Sequence, residues 1–379
     1  MSPAPPTKPA FTLLQIFRGW AALLVVLYHV GHLVNTRFHS PFLSYFHMGN
    51  AGVDFFFVLS GFLISYLHLG DIGRPQLLKR YLQKRLIRIY PPYWIVTLLI
   101  LPLYFLVPSY GLGDETHPLV IAKSLLLLPM EHAPILTAGW TLRNEVLFYA
   151  LFAGLIAIRG RWACYALPLW AGALVGSFYL VTRSIPVLAN PTLEVLLSPR
   201  NLEFLMGCGA AWLVTHVSRE RAPLKREFLR WCALGLGLSC LAFALVGWLP
   251  RSLNYFVLHV AFYGILSFVI ILSAVLLEGG GAIRQSWQQS PLYYGCLVLG
   301  DASYSVYLLH GPCLSLLVKV TVAAGLIARL GVVPVTVAIV VLIIGVGCGF
   351  HVLIEKPLLI RLRRWFVGER GVAAGRTSE

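Results

Sequence analysis

Long apolar stretches separated by short polar segments run through most of the chain. An α-helix needs about 20 mostly apolar residues to cross the hydrocarbon core of a bilayer. By that criterion the pattern predicts about ten transmembrane helices, which cover residues 11–34, 51–70, 91–110, 140–158, 162–182, 201–217, 231–249, 257–277, 298–320 and 333–354. The apolar stretch at 119–130 is too short to cross, so it predicts an interfacial or re-entrant helix.

The distribution of basic residues predicts the orientation of these helices. With the N-terminus inside, the inner segments hold 21 basic residues and the outer segments six, while Arg18, Arg143 and Lys319 lie within spans and complete the 30. Short cytoplasmic loops carry an excess of Lys and Arg. The sequence therefore predicts an all-α polytopic membrane protein with cytoplasmic termini. It forms a single membrane domain over 1–379, with its core at about 11–357 and cytoplasmic tails at 1–10 and 358–379.

Composition agrees with this class and narrows the choice of partners. Of the 379 residues 58% are hydrophobic and 12% are charged, with a mean hydropathy of +0.77. A soluble domain carries about 25% charged residues, so an ordinary cytosolic enzyme is excluded. The net charge of +15 suggests nucleic acid, but the basic residues are dispersed over inner loops, which predicts no nucleic-acid partner. The seven cysteines show no metal-ligand spacing, so no metal is expected.

Two ionisable residues in the first span are candidates for function. A charged side chain within a membrane is costly and usually faces a partner or a cavity. Arg18 and His29 are eleven residues apart, which places them on one face of a helix and about 16 Å apart along its axis. The alternative interpretation is that Arg18 extends to the inner headgroups and that His29 is a hydrogen-bonded core residue.

Two carboxylates are expected near the depth of His29. Asp54 lies near the outer end of the second span, and Glu145 near the outer end of the fourth. A carboxylate beside an imidazole fixes its tautomer and raises its basicity, as a general base requires. The alternative interpretation is that Asp54 caps its helix and that Glu145 pairs with Arg143.

The inner side carries a cluster of basic residues at the entry to the third span. Lys84, Arg85 and Arg88 precede Pro91 and Pro92. Such a cluster follows from topology or from anionic lipid, and it equally suits a phosphate-rich cytoplasmic ligand. The ninth span adds polar residues at inner to middle depth, namely Asp301, Ser303, Tyr304, Tyr307 and His310.

Seven segments together resemble the acyltransferase-3 family of integral membrane O-acyltransferases, over essentially the whole chain. They are FRGWAALLVVLYHV with its R-x10-H pair, GVDFFFVLSGFLIS, KRLIRIYPPYW, GWTLRNEVLFY, NLEFLMGCGAAWL, GDASYSVYLLHGP and EKP. Arg143 departs from the family, whose members more often carry a small or neutral residue there. The resemblance implies transfer of an acyl group, usually acetyl from acetyl-CoA, to a hydroxyl of an envelope carbohydrate, a glycolipid or a related glycosylated acceptor. It also implies that the R-x10-H pair is needed for activity.

Each implied role is assigned to residues of this chain. The expected catalytic residues are His29, Glu145, Asp54 and Arg18. The expected acyl-CoA site comprises Arg85, Arg88, Arg18, Ser303, Tyr304, Tyr307 and His310. The expected acceptor site comprises Trp140, Arg143, Asn144 and Ser60. These roles predict a multi-pass protein of the bacterial inner membrane, surrounded by lipid, and a homo-oligomer is compatible with them.

Two questions stay open at the level of sequence. The acyl group either passes directly to an acceptor activated by His29 or first forms an acyl-histidine at that residue. The competing class is a secondary transporter or exporter in which His29, Asp54, Glu145 and His310 form a proton relay. A non-catalytic membrane subunit or sensor is a further alternative.

Overall fold

Helices make up the regular structure of this protein. The computed structural model describes residues 11–107, 111, 113–159, 162–182, 190–219, 225–246, 257–281 and 288–368, and no strand occurs in these ranges. The predicted all-α class is therefore confirmed. Within the same ranges, seven helical segments are long and apolar enough to cross a membrane: Thr12–Phe38, Ser44–Asp71, Pro75–Leu106, Arg226–Val246, His259–Gly279, Ser303–Ala323 and Val332–Val367.

We number the α-helices of the described residues in chain order. They are α1 (Thr12–Phe38), α2 (Gly52–His68), α3 (Leu78–Leu106), α4 (Pro118–Leu125), α5 (Gly139–Ala157), α6 (Trp162–Thr182), α7 (Pro191–Leu196), α8 (Asn201–Arg219), α9 (Arg226–Val246), α10 (Ile265–Gly279), α11 (Pro291–Asp301), α12 (Ser303–Ala323), α13 (Leu326–Leu330), α14 (Val332–Phe350) and α15 (Lys356–Val367). A 3-10 segment (Ser44–Ala51) precedes α2, and π-helical segments occur at Val257–Gly264 and His351–Glu355.

The predicted spans and the observed helices agree in place but differ in length. The spans predicted at 140–158, 162–182 and 201–217 coincide with α5, α6 and α8, which have 19, 21 and 19 residues and are not among the seven segments above. The predicted short helix near 119–130 is observed as α4, with eight residues.

Two boundaries differ from the prediction. Helix α3 begins at Leu78, well before the predicted start at 91, because the basic segment is itself helical and Pro91 and Pro92 lie inside the helix. The ninth predicted span is interrupted at Ala302, which separates α11 from α12. The basic residues near the third span are therefore presented on a helix and not on a loop.

Helix α1 lies at the centre of the fold, where it packs against α2, α10, α11, α12 and α14. Its first backbone N–H groups, those of Thr12 and Leu13, donate to the carboxylate of Glu278 on α10 at 2.8 and 3.0 Å. These groups have no partner inside the helix, so the carboxylate satisfies them. The side chain of Gln15 donates to Asp301 of α11. These contacts fix the position of the helix that carries Arg18 and His29.

Glycines bring α2 and α8 into close contact. A Cβ atom at Gly61 would lie 2.0 Å from the carbonyl oxygen of Phe204, and one at Gly207 would lie 2.0 Å from that of Val58. Small residues allow helix backbones to approach each other in membranes, where packing drives helix association. The close contact holds α2 in the position from which it lines the cavity described below.

Gly207→Ala is expected to destabilise the protein by about 1–3 kcal/mol, because the added methyl group must push α2 and α8 apart. Thermal unfolding of the detergent-solubilised protein measures the effect. Gly209→Ala is the matched control, since a Cβ atom there would meet only the ring of Phe268, at 3.9 Å. Equal unfolding midpoints for the two variants would contradict the packing argument.

Candidate active site

A cavity lies between α1, α2, α3, α5 and α12. Its volume is about 890 Å³ when its opening to solvent is included. Its lining on α2 extends from Val53 to Leu67. Fourteen residues of α-helix rise about 21 Å, so the cavity is long enough to span much of a bilayer.

One end of the cavity is basic, and we call it the arginine end because Arg18, Arg85 and Arg88 line it. The expected donor residues Ser303, Tyr304 and Tyr307 line the same cavity. Tyr304 joins two of the walls, since its hydroxyl on α12 donates to the carbonyl oxygen of Ile89 on α3 at 2.8 Å. The structure thus brings six of the seven expected donor residues together.

Arg85 is held rigidly at this end. Its guanidinium donates to Nε2 of His68 at 3.0 Å, and Nδ1 of His68 donates to Asp71 at 2.7 Å. The guanidinium also lies 5.9 Å from the ring centroids of both Tyr81 and Tyr149, close enough for cation–π attraction. Asp71 therefore orients Arg85 indirectly, through the imidazole of His68. The carboxylate itself does not contact the guanidinium.

The charge of Arg85 is left uncompensated by the protein. The residue is buried, and among the described residues it forms no ion pair with a carboxylate. Arg18 is likewise buried, and its guanidinium donates to the side-chain oxygen of Gln15 at 2.8 Å. Buried charges in proteins are normally paired. The arginine end is therefore suited to an anionic ligand.

A second cavity, of about 500 Å³, adjoins the first. Arg18 and Arg88 line both of them and therefore stand between the two spaces. Lys356 and Arg363 of the last helix line the second cavity, together with Glu355, which accepts a hydrogen bond from Ser305 and another from Nδ1 of His351 at 2.8 Å. A ligand larger than the first cavity has room to continue into this basic space.

Glu145 lies in the middle of the main cavity. Its Oε1 atom accepts hydrogen bonds from the hydroxyl of Ser60 at 3.0 Å and from the hydroxyl of Tyr149 at 2.5 Å. Among the described residues it forms no ion pair with Arg143, so the alternative interpretation of Glu145 is wrong. Ser60, which the sequence assigned to the acceptor site, is therefore part of the same group as the expected catalytic carboxylate.

At the opposite end of the cavity, which we call the tyrosine end, Tyr307 meets Thr141 and Phe56. The two hydroxyls are 2.8 Å apart, and the ring centroids of Phe56 and Tyr307 are 6.1 Å apart. The ring of His310 lies 5.4 Å from that of Tyr307, and the ring of His29 lies 4.9 Å from that of His310. His29 thus lies just beyond the lining of the cavity at this end.

Backbone carbonyls set the tautomers of the two imidazoles. Nδ1 of His29 lies 2.9 Å from the carbonyl oxygen of Val25, and Nδ1 of His310 lies 2.5 Å from that of Tyr307. Because a carbonyl only accepts, each Nδ1 carries a proton, and the neutral form of each ring therefore has its lone pair on Nε2. His310 was expected with the donor-binding residues, and the structure instead places it beside His29.

The expected contact between His29 and a carboxylate is wrong. Among the described residues His29 makes no hydrogen bond to Asp54 or Glu145. Asp54 instead accepts from Nδ1 of His259, at 2.8 Å, and its side chain does not cap α2. The sequence predicted a similar depth in the membrane for His29, Asp54 and Glu145. Residues at the same depth meet only when the helix faces that carry them also point toward each other. Asp54 faces the π-helical segment rather than α1.

The residues expected at the acceptor site are divided between two places. Trp140 and Arg143 line a third, small cavity of about 180 Å³, which shares no lining residue with the main one. The guanidinium of Arg200 lies 4.8 Å from the Trp140 ring centroid. Asn144 is buried on the same helix, whereas Ser60 lies in the main cavity.

Sequence reasoning missed several buried polar residues. Glu203 and His259 lie within predicted spans and are buried near Asp54. Tyr149 and Gln15 contact the expected residues Glu145 and Arg18 directly. Glu203 and His259 could have been found by the rule that buried ionisable residues mark function. The roles of Tyr149 and Gln15 depend on tertiary contacts, which a sequence does not show.

Comparison with known proteins identifies the family. A family model described as "Acyltransferase domain" matches residues 12–352. The chain belongs to this acyltransferase family. The resemblance to the acyltransferase-3 family is therefore confirmed, and the protein is an O-acyltransferase of the multi-pass membrane type. Family membership also decides against the transporter and the non-catalytic alternatives.

Two curated relatives are similar to this acyltransferase. "Exopolysaccharide production protein ExoZ" of Rhizobium meliloti (strain 1021) is 32% identical over 346 residues, which cover 87% of this chain and 96% of the relative. "Protein 2 in picA locus" of Rhizobium radiobacter is 29% identical over 174 residues, which cover 40% of this chain and 85% of the relative. No solved structure matches the acyltransferase significantly.

His259→Ala is expected to destabilise the acyltransferase by about 3 to 5 kcal/mol, because it leaves the carboxylate of Asp54 buried without its donor. Chemical unfolding in detergent measures the loss. His216→Ala is the control, since His216 is exposed on α8 and its replacement is expected to change stability by less than about 0.5 kcal/mol. If both variants unfold like the wild type, the Asp54–His259 pair does not stabilise the fold.

Proposed function

We propose that the acyltransferase moves an acyl group, in the first instance acetyl, from cytoplasmic acyl-CoA to a hydroxyl of a cell-envelope carbohydrate or glycolipid. The carbohydrate class is supported by the relative from Rhizobium meliloti, whose name assigns it to exopolysaccharide production. The proposed location is the bacterial inner membrane, with ten spans and both termini in the cytoplasm. The predominance of basic residues in the inner segments supports this orientation.

The uncompensated guanidinium of Arg85 is the observation that carries the choice of donor. CoA is a polyanion that approaches from the cytoplasm, and guanidinium groups bind phosphate through paired hydrogen bonds. In the proposed orientation the arginine end faces the cytoplasm. Arg85, Arg88 and Arg18 then hold the phosphates, while Ser303, Tyr304 and Tyr307 line the path of the acyl-bearing arm.

The length of the cavity suits a donor and an acceptor that arrive from opposite sides. Arg18 and His29 lie about 16 Å apart along α1, and the cavity extends about 21 Å along α2. An extended pantetheine arm has to bridge a distance of this order if its phosphates stay at the arginine end. The acceptor enters from the outer side, where Trp140, Arg143 and Asn144 are proposed to contact it.

His29 is the proposed general base for the acceptor hydroxyl. Its Nδ1–H group donates to the carbonyl of Val25, so the lone pair on Nε2 is available to take the hydroxyl proton. The hydroxyl oxygen then attacks the acyl carbonyl carbon. His310 lies next to His29 and is proposed to support the position of its ring. We assign Asp54 to the pair with His259 and not to the reaction.

His29→Ala is expected to reduce acetyl transfer by about 10²- to 10⁴-fold, the usual contribution of a positioned base. Membranes containing each variant are supplied with radiolabelled acetyl-CoA and an envelope glycan or lipid extract, and O-acetyl transfer is measured. His32→Ala serves as the control, because His32 is exposed on the same helix. Equal transfer by the His29→Ala variant and the wild type would refute the role of His29.

Arg85→Ala and Arg88→Ala are each expected to raise the KM for acetyl-CoA about ten- to a hundredfold, since a hydrogen bond to a charged group contributes about 1.5–3 kcal/mol. The KM for the acceptor should change little. Lys79→Ala is the control, because Lys79 is exposed near the start of α3 and does not line the cavity. An effect confined to the acceptor would contradict the assignment of the arginine end.

A further inference from the structure

Ser60 occupies an unusual position for a serine in a membrane helix. It lies near the middle of α2, seven residues from each end of the cavity lining on that helix, or about 10 Å in either direction. Serine hydroxyls within helices commonly bond to a carbonyl of the preceding turn. The hydroxyl of Ser60 instead donates across the cavity to Oε1 of Glu145 on α5, at 3.0 Å.

This pair has the geometry of an activated nucleophile. A hydroxyl becomes nucleophilic when an adjacent base within hydrogen-bond distance can take its proton and a third group orients that base. Glu145 is the base, and Tyr149 orients it by donating to the same carboxylate oxygen at 2.5 Å. Ser60 is half-buried and lines the cavity, whereas Tyr149 is 3% exposed. The serine is therefore the more accessible of the two hydroxyls.

We propose that Ser60 is a covalent acyl carrier, which takes the acyl group from the thioester and then passes it to the acceptor. The proposal rests on the function proposed above and adds a step to it. An acyl-CoA arm anchored at the arginine end has to extend only about half of the cavity to reach Ser60. Donor and acceptor then never need to occupy the cavity together.

The first half-reaction forms the serine ester. Glu145 takes the hydroxyl proton, Oγ of Ser60 bonds to the carbonyl carbon of the thioester, and the carbon–sulfur bond breaks. Glu145 passes this proton to the departing sulfur, so that CoA leaves through the arginine end as the thiol and Glu145 is again a carboxylate.

The second half-reaction transfers the acyl group to the acceptor. Glu145, which lies within hydrogen-bond distance of Oγ, takes the proton of the acceptor hydroxyl. The hydroxyl oxygen bonds to the ester carbonyl carbon, the bond from that carbon to Oγ breaks, and Glu145 gives the proton to the serine oxygen. In this scheme His29 contacts the acceptor where it enters, at the tyrosine end, and every group regains its starting state.

The test uses the purified full-length acyltransferase in lipid nanodiscs with radiolabelled acetyl-CoA and no acceptor. After denaturation, protein-bound label is counted, and the labelled peptide is located by mass spectrometry. The wild type is expected to carry label on Ser60. His29→Ala is expected to carry as much label as the wild type, up to one acetyl group per chain, because His29 takes no part in forming the ester.

Substitutions at the serine provide the decisive comparison. Ser60→Ala is expected to lose the label and to reduce transfer on the order of a hundredfold or more. Ser60→Cys is expected to carry a thioester that neutral hydroxylamine cleaves, whereas the serine ester requires alkaline hydroxylamine. Ser65→Ala is the matched control, since Ser65 lies on the same helix outside the cavity lining and should label normally. The elution profile in gel filtration shows that each variant is folded.

Four outcomes would overturn the proposal. Transfer by Ser60→Ala at the rate of the wild type would exclude an obligatory serine ester. Label on Tyr149 or His29 would assign the carrier to another residue. Turnover by the wild type with no label on Ser60 in rapidly quenched samples would favour direct transfer and leave the proposed function intact. If the wild type neither transfers acetyl nor consumes acetyl-CoA, the donor itself is wrong and both proposals fall.

Discussion

A guanidinium group enclosed by apolar helices is among the most costly groups that a membrane protein can carry. Arg85 is such a group, and the surrounding structure supplies neutral partners for it in place of a carboxylate. His68 accepts its hydrogen bond, and Tyr81 and Tyr149 present their ring faces. Asp71 contributes only through His68. The guanidinium of Arg85 is thus held in one orientation, and its positive charge is not neutralised. An anion that enters the cavity is therefore attracted by the whole charge.

Polar contacts also fix the position of α1, the helix at the centre of the fold. Arg18 and His29 are useful only if α1 has one fixed position and rotation among its five neighbours. Glu278 satisfies the first N–H groups of α1, and Gln15 connects it to Asp301 while also accepting from Arg18. A few polar contacts at one end therefore help to position a helix that packs largely through apolar side chains. Glycines such as Gly61 do the same for α2, because they determine how closely its neighbour approaches.

The sequence predicted the positions of the long helices along the chain better than it predicted which residues are neighbours in space. The apolar stretches located the long helices. The basic cluster, the polar residues of the ninth span and the family motifs selected the following residues, which do line one cavity: Arg18, Arg85, Arg88, Ser303, Tyr304 and Tyr307. Asp54 and His310 were assigned to the wrong partners, because the rotation of one helix against another depends on packing throughout the bundle. The glycine contacts that determine this rotation have no distinctive pattern in a single sequence. The Ser60–Glu145 contact likewise joins residues 85 positions apart.

The last helical segment, Val332–Val367, has 36 residues, which correspond to about 54 Å of continuous helix. The hydrocarbon core is about 30 Å thick, so a large part of this rod lies outside it. Its polar end, α15, lies next to α3 and lines the second cavity. This length and the polar character of α15 favour a position for that cavity in the headgroup region or in water.

In the proposed binding mode, the charged head of the donor would be divided at Arg18 and Arg88. Part of its charge would lie beside Arg85 in the main cavity, and the rest would lie beside Lys356 and Arg363 in the hydrated second cavity. Only the uncharged arm would continue beyond the arginine end, so the passage would sort the two parts of the ligand by polarity.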